Sequence, residues 1–219
     1  MEKSTIKIRP PKHSRKEGVS GINSILQPHF ILYIVGKPGS GKSHLIYELL
    51  KNPDMYFKKF NKVLFCSPYD IPGVSMDEEN WNTSFEPEWL MQKIKQQPSG
   101  SNVLVVLDDV IADIKKKQAD PLLKKLIFNR RHLIPGGTIS YIIAAQKYIV
   151  CPTPIRSCIT ALIVFKTQPS DWKKIKEENL YMDKALEGHV VSNVYSKPYS
   201  FIYMRLDNGD LYNKFDEKL

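Results

Sequence analysis

The run Gly36-Lys37-Pro38-Gly39-Ser40-Gly41-Lys42-Ser43 fits G-x-x-x-x-G-K-[ST] without a mismatch, and it narrows the choice of folds more than any other feature of the chain. Such a segment needs an apolar strand before it and a helix after it. Residues 30–35 supply the strand, and residues 44–50 continue as a helical pattern. The glycines let the backbone turn so that successive N–H groups converge on an anion, where a Cβ would crowd it. The helix start adds its positive end. Lys42 is placed to reach the β- and γ-phosphates of a nucleotide, and the Ser43 hydroxyl to sit on Mg²⁺. Gly36, Lys37, Pro38, Gly39, Ser40, Gly41, Lys42, Ser43 and His44 are therefore the expected binding segment for Mg-ATP.

The rest of the chain supplies a fold for this loop. Short β-branched or aromatic runs at 30–35, 62–67, 102–107, 139–145 and 159–165 are bounded by Gly, Pro, Asn or Ser, and they read as buried strands of a largely parallel sheet. Helical spacing occupies 86–97, with Ser84 as N-capping residue, then 121–129 and 172–187. This alternation predicts an α/β fold, a three-layer α/β/α sandwich. Residues 199–206 alternate as an edge strand, with Asn208-Gly209 as the turn that follows. The segment after Pro72, holding Trp81, Trp89 and the acidic run 77–79, reads as a surface loop leading into a helix. Residues 1–21, with Lys7, Arg9, Lys12, Arg15 and Lys16, form a mobile basic arm, and 22–219 a single domain.

A net charge of +9 favours polyanions, nucleic acid first and acidic membrane surfaces second. No apolar run reaches the ~18–20 residues that span a bilayer, and the opening residues lack the apolar segment of a secretory signal. A cytosolic location with no membrane partner is expected. Three cysteines at irregular spacing, Cys66, Cys151 and Cys158, form neither a disulfide framework nor a zinc pattern. Cys66 and Cys158 lie in or beside apolar runs, as small hydrophobes of a reducing compartment.

The second half of the site follows the apolar strand at 102–107, which ends in Asp108-Asp109. An acidic residue at the end of a buried strand beside the P-loop strand can hold Mg²⁺, and Asp108 fits that role. Asp109 is assigned to polarising the attacking water. Gln146, closing the apolar run 139–145, suits a sensor whose amide feels the γ-phosphate. Lys115, Lys116 and Lys117 come next after the acidic pair, with Lys124, Lys125, Arg130 and Arg131 soon after. Such a run suits phosphate contacts along DNA of any sequence.

The order of these pieces resembles the poxvirus-type genome-packaging ATPases of the FtsK/HerA superfamily. The pieces are the loop at 36–43, the strand ending in Asp109, Arg130-Arg131-His132, the strand running into Gln146, and Pro154-Ile155-Arg156. The resemblance implies a RecA-like P-loop NTPase core, a homo-oligomeric ring, and ATP-driven movement of double-stranded DNA into a viral capsid, with a capsid or portal protein as partner. It also implies an address in the host-cell cytoplasm or viral factory, and at the assembling virion. In such rings a neighbouring subunit supplies an arginine finger. Arg130, Arg131 and Arg156 are the candidates, with Arg131 preferred. Asp109 stands where the wider superfamily often has Glu. Two alternatives stay open: a DNA helicase or repair-type ATPase, and a nucleoside or nucleotide kinase. Against the kinase stand the paired acidic residues and Gln146, which favour hydrolysis.

Overall fold

The computed structural model describes residues 26, 28–71, 73–74, 77–116, 120–179, 184–215 and 217–219. The basic arm at 1–21 and Lys117 lie outside them. In chain order the elements are β1 (Ile31–Val35), α1 (Lys42–Lys51), β2 (Lys62–Cys66), β3 (Trp81–Asn82), α2 (Pro87–Lys95), β4 (Asn102–Asp108), α3 (Ile111–Lys116) and α4 (Pro121–Phe128). There follow β5 (Thr138–Ala145), α5 (Thr153–Arg156), β6 (Ala161–Phe165), α6 (Pro169–Asn179), α7 (Lys184–Ser192), β7 (Phe201–Arg205), β8 (Leu211–Asn213) and β9 (Glu217–Lys218).

The strands form a nine-stranded sheet ordered β3-β2-β4-β5-β1-β6-β7-β8-β9. Pairing is parallel from β3 to β6 and antiparallel from β6 to β9. Every residue of β1 and β6 is buried, because helices or loops cover both faces and a strand inside such a sandwich has no polar side. Side-chain alternation sorts the core into two halves. Ile31, Tyr33 and Val35 join the half roofed by Leu90 of α2, Ile114 of α3, Leu126 of α4 and Ile175 of α6. Leu32 and Ile34 join the half packed under Ile46 and Leu49 of α1. The fold is thus the expected three-layer sandwich.

The buried tyrosine hydroxyls at its centre are paired. The Tyr33 hydroxyl donates to the Lys147 and Tyr148 carbonyls at 2.9 and 3.1 Å, and the Tyr141 hydroxyl to the Leu126 carbonyl at 3.1 Å. The three cysteines are free thiols; Cys66 and Cys151 are buried, and burial pushes the Cys66 thiol up to about 12.

Four local expectations are corrected. β7 is no edge strand, since a short antiparallel extension, β8 and β9, covers its outer side. The segment read as a surface loop contributes β3, which adds to β2 while the Trp81 indole N–H donates to the Ser67 carbonyl at 2.8 Å. The N-cap of α2 is Glu86 rather than Ser84, whose hydroxyl turns to Asn82 and Glu86 instead. Within 172–187, helix covers Trp172 to Asn179 as part of α6 and resumes at Lys184 with α7; residues 180–183 lie outside the described ones.

Candidate nucleotide site

The loop between β1 and α1 runs at the carboxyl ends of the parallel strands, where open α/β sheets place their ligands. Three glycines are required there by geometry, Gly39 by its φ of +73°. A Cβ on Gly36 would stand 2.5 Å from Ser40 Oγ and 2.8 Å from Phe165 Cβ, and Gly41 has φ +98°. Gly41 is also the N-cap of α1 and offers no side-chain cap, so the first amides of the helix face outward for a ligand. Ser40 Oγ is buried and, among the described residues, has no hydrogen-bond partner. Such an orphaned hydroxyl fits a cradle whose anion supplies the missing partner.

Lys42, only 9% exposed, folds back over the loop and donates to the Gly36 and Lys37 carbonyls at 2.9 and 3.2 Å. Burial holds its ammonium below the ordinary lysine value, against the pull of Asp109 and Asp108. The Ser43 hydroxyl donates to Asp108 Oδ2 at 2.7 Å. Asp108 is 6% exposed; burial pushes its carboxyl up, and the Ser43 bond opposes this without cancelling it.

The strand that carries Asp108 does not lie beside the P-loop strand, contrary to expectation. β5 separates them, pairing Asp108 with Ala144 on one side and Val35 with Ala145 on the other. Ala144 and Ala145 present only methyl groups at the end of β5, so Ser43 and Asp108 still meet across it. The Ala145 carbonyl also accepts from the Gly36 amide at 3.2 Å, tying the loop to the intervening strand.

Asp109 leaves the ladder at φ +59°, a conformation that Asp tolerates better than most residues. The turn exposes its carboxylate, and the Gln146 amide donates to both of its oxygens at 3.2 Å. Lys42, Ser43, Asp108, Asp109 and Gln146 are thus brought together from the ends of three adjacent strands.

The arginines lie elsewhere. Arg130 is buried and donates to the His29 and Ile127 carbonyls at 3.2 and 3.1 Å. That places it and its neighbour, the exposed Arg131, at the amino ends of β1 and β5, opposite the P-loop. Arg156 donates to both Glu178 oxygens at 3.0 Å, to the Thr153 hydroxyl at 3.2 Å and to the Cys151 carbonyl at 2.6 Å. It also stacks over the Tyr148 ring at 5.3 Å.

Sequence reasoning missed one neighbour of the loop. Tyr199, at φ +57° and 70% exposed, sets a ring carbon 3.3 Å from where a Cβ on Gly41 would stand. Its expected place at the head of the strand over 199–206 is corrected: the strand begins at Phe201, and Tyr199 lies in the turn before it.

Among the described residues no cluster of three or more His, Cys, Asp or Glu side chains forms a metal cage. Mg²⁺ needs none, since it keeps waters and phosphate oxygens around one or two protein oxygens, and the Ser43–Asp108 pair provides two hard donors. No helix among the described residues is long and apolar enough to cross a membrane.

A family model described as Poxvirus A32 protein matches residues 21–194. No curated protein sequence matches the chain. In structure it is similar to the genome packaging NTPase B204 from Sulfolobus turreted icosahedral virus 2. The sulfate complex of B204 aligns over 85% of this chain and 96% of that one, with TM-score 0.63 and 18% identity. The ATP-gammaS complex aligns over 89% and 100%, with TM-score 0.62 and 17% identity. B204 from Sulfolobus turreted icosahedral virus, described as its DNA-packaging ATPase, aligns over 85% and 97%, with TM-score 0.59 and 17% identity. At these identities the likeness is one of fold.

Proposed function

The chain belongs to the poxvirus A32 protein family, and on that premise we propose that it is an ATP-hydrolysing motor that moves double-stranded DNA into a viral capsid. The observation that carries the reading is the convergence of a P-loop, a Ser43–Asp108 pair and an Asp109–Gln146 pair on one end of the sheet. The structurally similar B204 is a genome packaging NTPase solved in complex with ATP-gammaS, which supports nucleotide binding by this fold.

On ATP binding, Lys42 exchanges the Gly36 and Lys37 carbonyls for the β- and γ-phosphates. Its amine is held within reach by those same bonds. Ser43 and Asp108 would hold Mg²⁺, which when bound would neutralise phosphate charge. Asp109 accepts a hydrogen bond from the attacking water and takes its proton, while Gln146 fixes the carboxylate and senses the γ-phosphate. Arg131 reaches the site of a neighbouring copy in a homo-oligomeric ring, where its charge stabilises the transferring phosphoryl group. Arg156 is the poorer finger, because its guanidinium is already engaged by Glu178, Thr153 and the Cys151 carbonyl.

DNA contact is assigned to Lys115 and Lys116, exposed at the end of α3, a helix that begins two residues after Asp109. A capsid or portal protein is the partner, and the host-cell cytoplasm or viral factory the place of action. The test is the ATPase rate with and without long double-stranded DNA, for the natural chain, Lys42→Ala and the Lys115→Ala/Lys116→Ala pair. The reading requires stimulation by DNA, its loss with Lys42→Ala, and reduced stimulation with unchanged basal rate for the lysine pair. Hydrolysis indifferent to DNA would overturn it, and strand displacement on a forked duplex would favour a helicase.

A further inference from the structure

We propose that Tyr199, above a floor of Leu45, Phe165 and Phe201, forms the nucleobase subsite, which stacks a purine and reads little of its edge. The inference rests on residues 36–43 being the triphosphate site, and it deepens that reading.

The strand order gives the direction of the bound nucleotide. Asp109 follows β4, Gln146 follows β5, the P-loop follows β1, and Phe165 closes β6, opposite Phe201 at the start of β7. Neighbouring strands lie about 4.8 Å apart, so these features form a row across the carboxyl ends of the parallel strands. The Asp109–Gln146 pair marks the γ-phosphate end on the β4–β5 side of the loop. The rest of the nucleotide therefore leaves on the other side, over β6 and β7.

A cavity of about 490 Å³ lies there, lined by His44, Leu45 and Glu48 of α1 together with Phe165, Tyr199 and Phe201. Phe165 and Phe201 pack against each other at 5.3 Å and are themselves nearly buried. Tyr199 is different: 70% exposed, at positive φ, and without an aromatic partner among the described residues. A large exposed ring held in an uncommon backbone conformation beside a phosphate loop is unfavourable in isolation. A stacked base removes that surface from water and gives the ring its partner.

A second cleft, of about 420 Å³, shares Tyr199 and Phe165 but is lined by Lys37, Lys166 and Lys197. Its charge suits anions, which leaves the apolar cavity for the uncharged base. Discrimination between bases needs buried, fixed donors and acceptors aimed at the base edge. Besides the hydroxyl of the exposed Tyr199 itself, the polar side chains lining the apolar cavity are His44 and Glu48, a solvent-exposed pair 3.9 Å apart. Adenine and guanine therefore bind alike, and the smaller pyrimidines bind less well.

The test uses the full chain and measures KM and kcat for ATP, GTP and UTP, with inorganic tripolyphosphate as competitive inhibitor. Tyr199→Asn removes the ring while suiting positive φ, and Tyr199→Phe restores it. Expected are KM values for ATP and GTP within about threefold, and one for UTP roughly tenfold higher. Tyr199→Asn raises the ATP KM roughly tenfold with kcat within about twofold, leaves tripolyphosphate inhibition unchanged, and is rescued by Tyr199→Phe. An unchanged ATP KM in Tyr199→Asn would overturn the proposal. So would equal weakening of ATP and tripolyphosphate, or strong preference for ATP over GTP. Absence of tripolyphosphate competition, or full activity in Lys42→Ala, would instead overturn the phosphate-site reading beneath it.

Discussion

The side-chain amide of Gln146 donates to both carboxylate oxygens of Asp109, each at 3.2 Å, across adjacent strands. The contact exists because Asp109 turns out of β4 at φ +59° just where β5 ends. A carboxylate so held is fixed rather than left to swing in solvent, and its charge is felt at Lys42.

Asp109→Asn is expected to lower kcat by about 10²–10⁴-fold, the usual worth of a general base, with ATP affinity retained. Gln146→Ala should lower kcat less, and the double variant should be no slower than Asp109→Asn alone, because the proposed roles place both on one water. Single-turnover hydrolysis measures this. Additive losses would assign the two residues to separate tasks.

Ser43→Ala leaves the Asp108 carboxylate buried without its 2.7 Å donor and removes one of the two oxygens proposed for Mg²⁺. The Mg²⁺ concentration for half-maximal hydrolysis should rise at least about tenfold. A Mg²⁺ titration at fixed ATP reads the effect, and an unmoved midpoint would take Ser43 out of the metal site.

Arg131 and Arg156 separate by complementation. Mixing Arg131→Ala with Lys42→Ala should restore activity that neither variant has alone, since one copy then supplies the intact loop and the other the arginine. Arg156→Ala should instead lower Tm by about 4–8 °C, because about 2 kcal/mol of charge-assisted hydrogen bonding is lost. No recovery in mixed samples would remove Arg131 as a finger in trans.

The Arg156–Glu178 pair also predicts a pH dependence. Burial pushes the Glu178 carboxyl up, but hydrogen bonds from Arg156 and Tyr148 win and hold it below its ordinary value of 4.5. Its folded pKa is depressed, so its stabilisation is complete above that ordinary value and is lost as pH falls through the folded one. Glu178→Gln should therefore lower Tm by a constant amount between pH 6 and 8. The difference from the natural chain should shrink below about pH 4. Thermal melts across that range decide it; a gap that persists in acid would mean that the charge on Glu178 contributes nothing.

Much of this was legible in the chain. The apolar runs at 30–35, 102–107 and 139–145 marked strands because a sheet covered on both faces admits few polar side chains. Asp108, Asp109 and Gln146 stood out as polar residues closing such runs. Trp81–Asn82 did not, since a two-residue strand has no period to read, and Tyr199 passed as the head of a strand because only the fold brings residues 195–200 alongside the P-loop.

The sequence by itself determined the phosphate cradle, because its glycines, Lys42 and Ser43 act within one turn of backbone and its helix. Only the tertiary structure decided that β5 lies between β1 and β4, that Gln146 bonds Asp109, and that Arg156 belongs to Glu178. Strand order and side-chain partners arise from hydrogen bonds and packing between residues far apart in the chain, where local residue preferences carry no information.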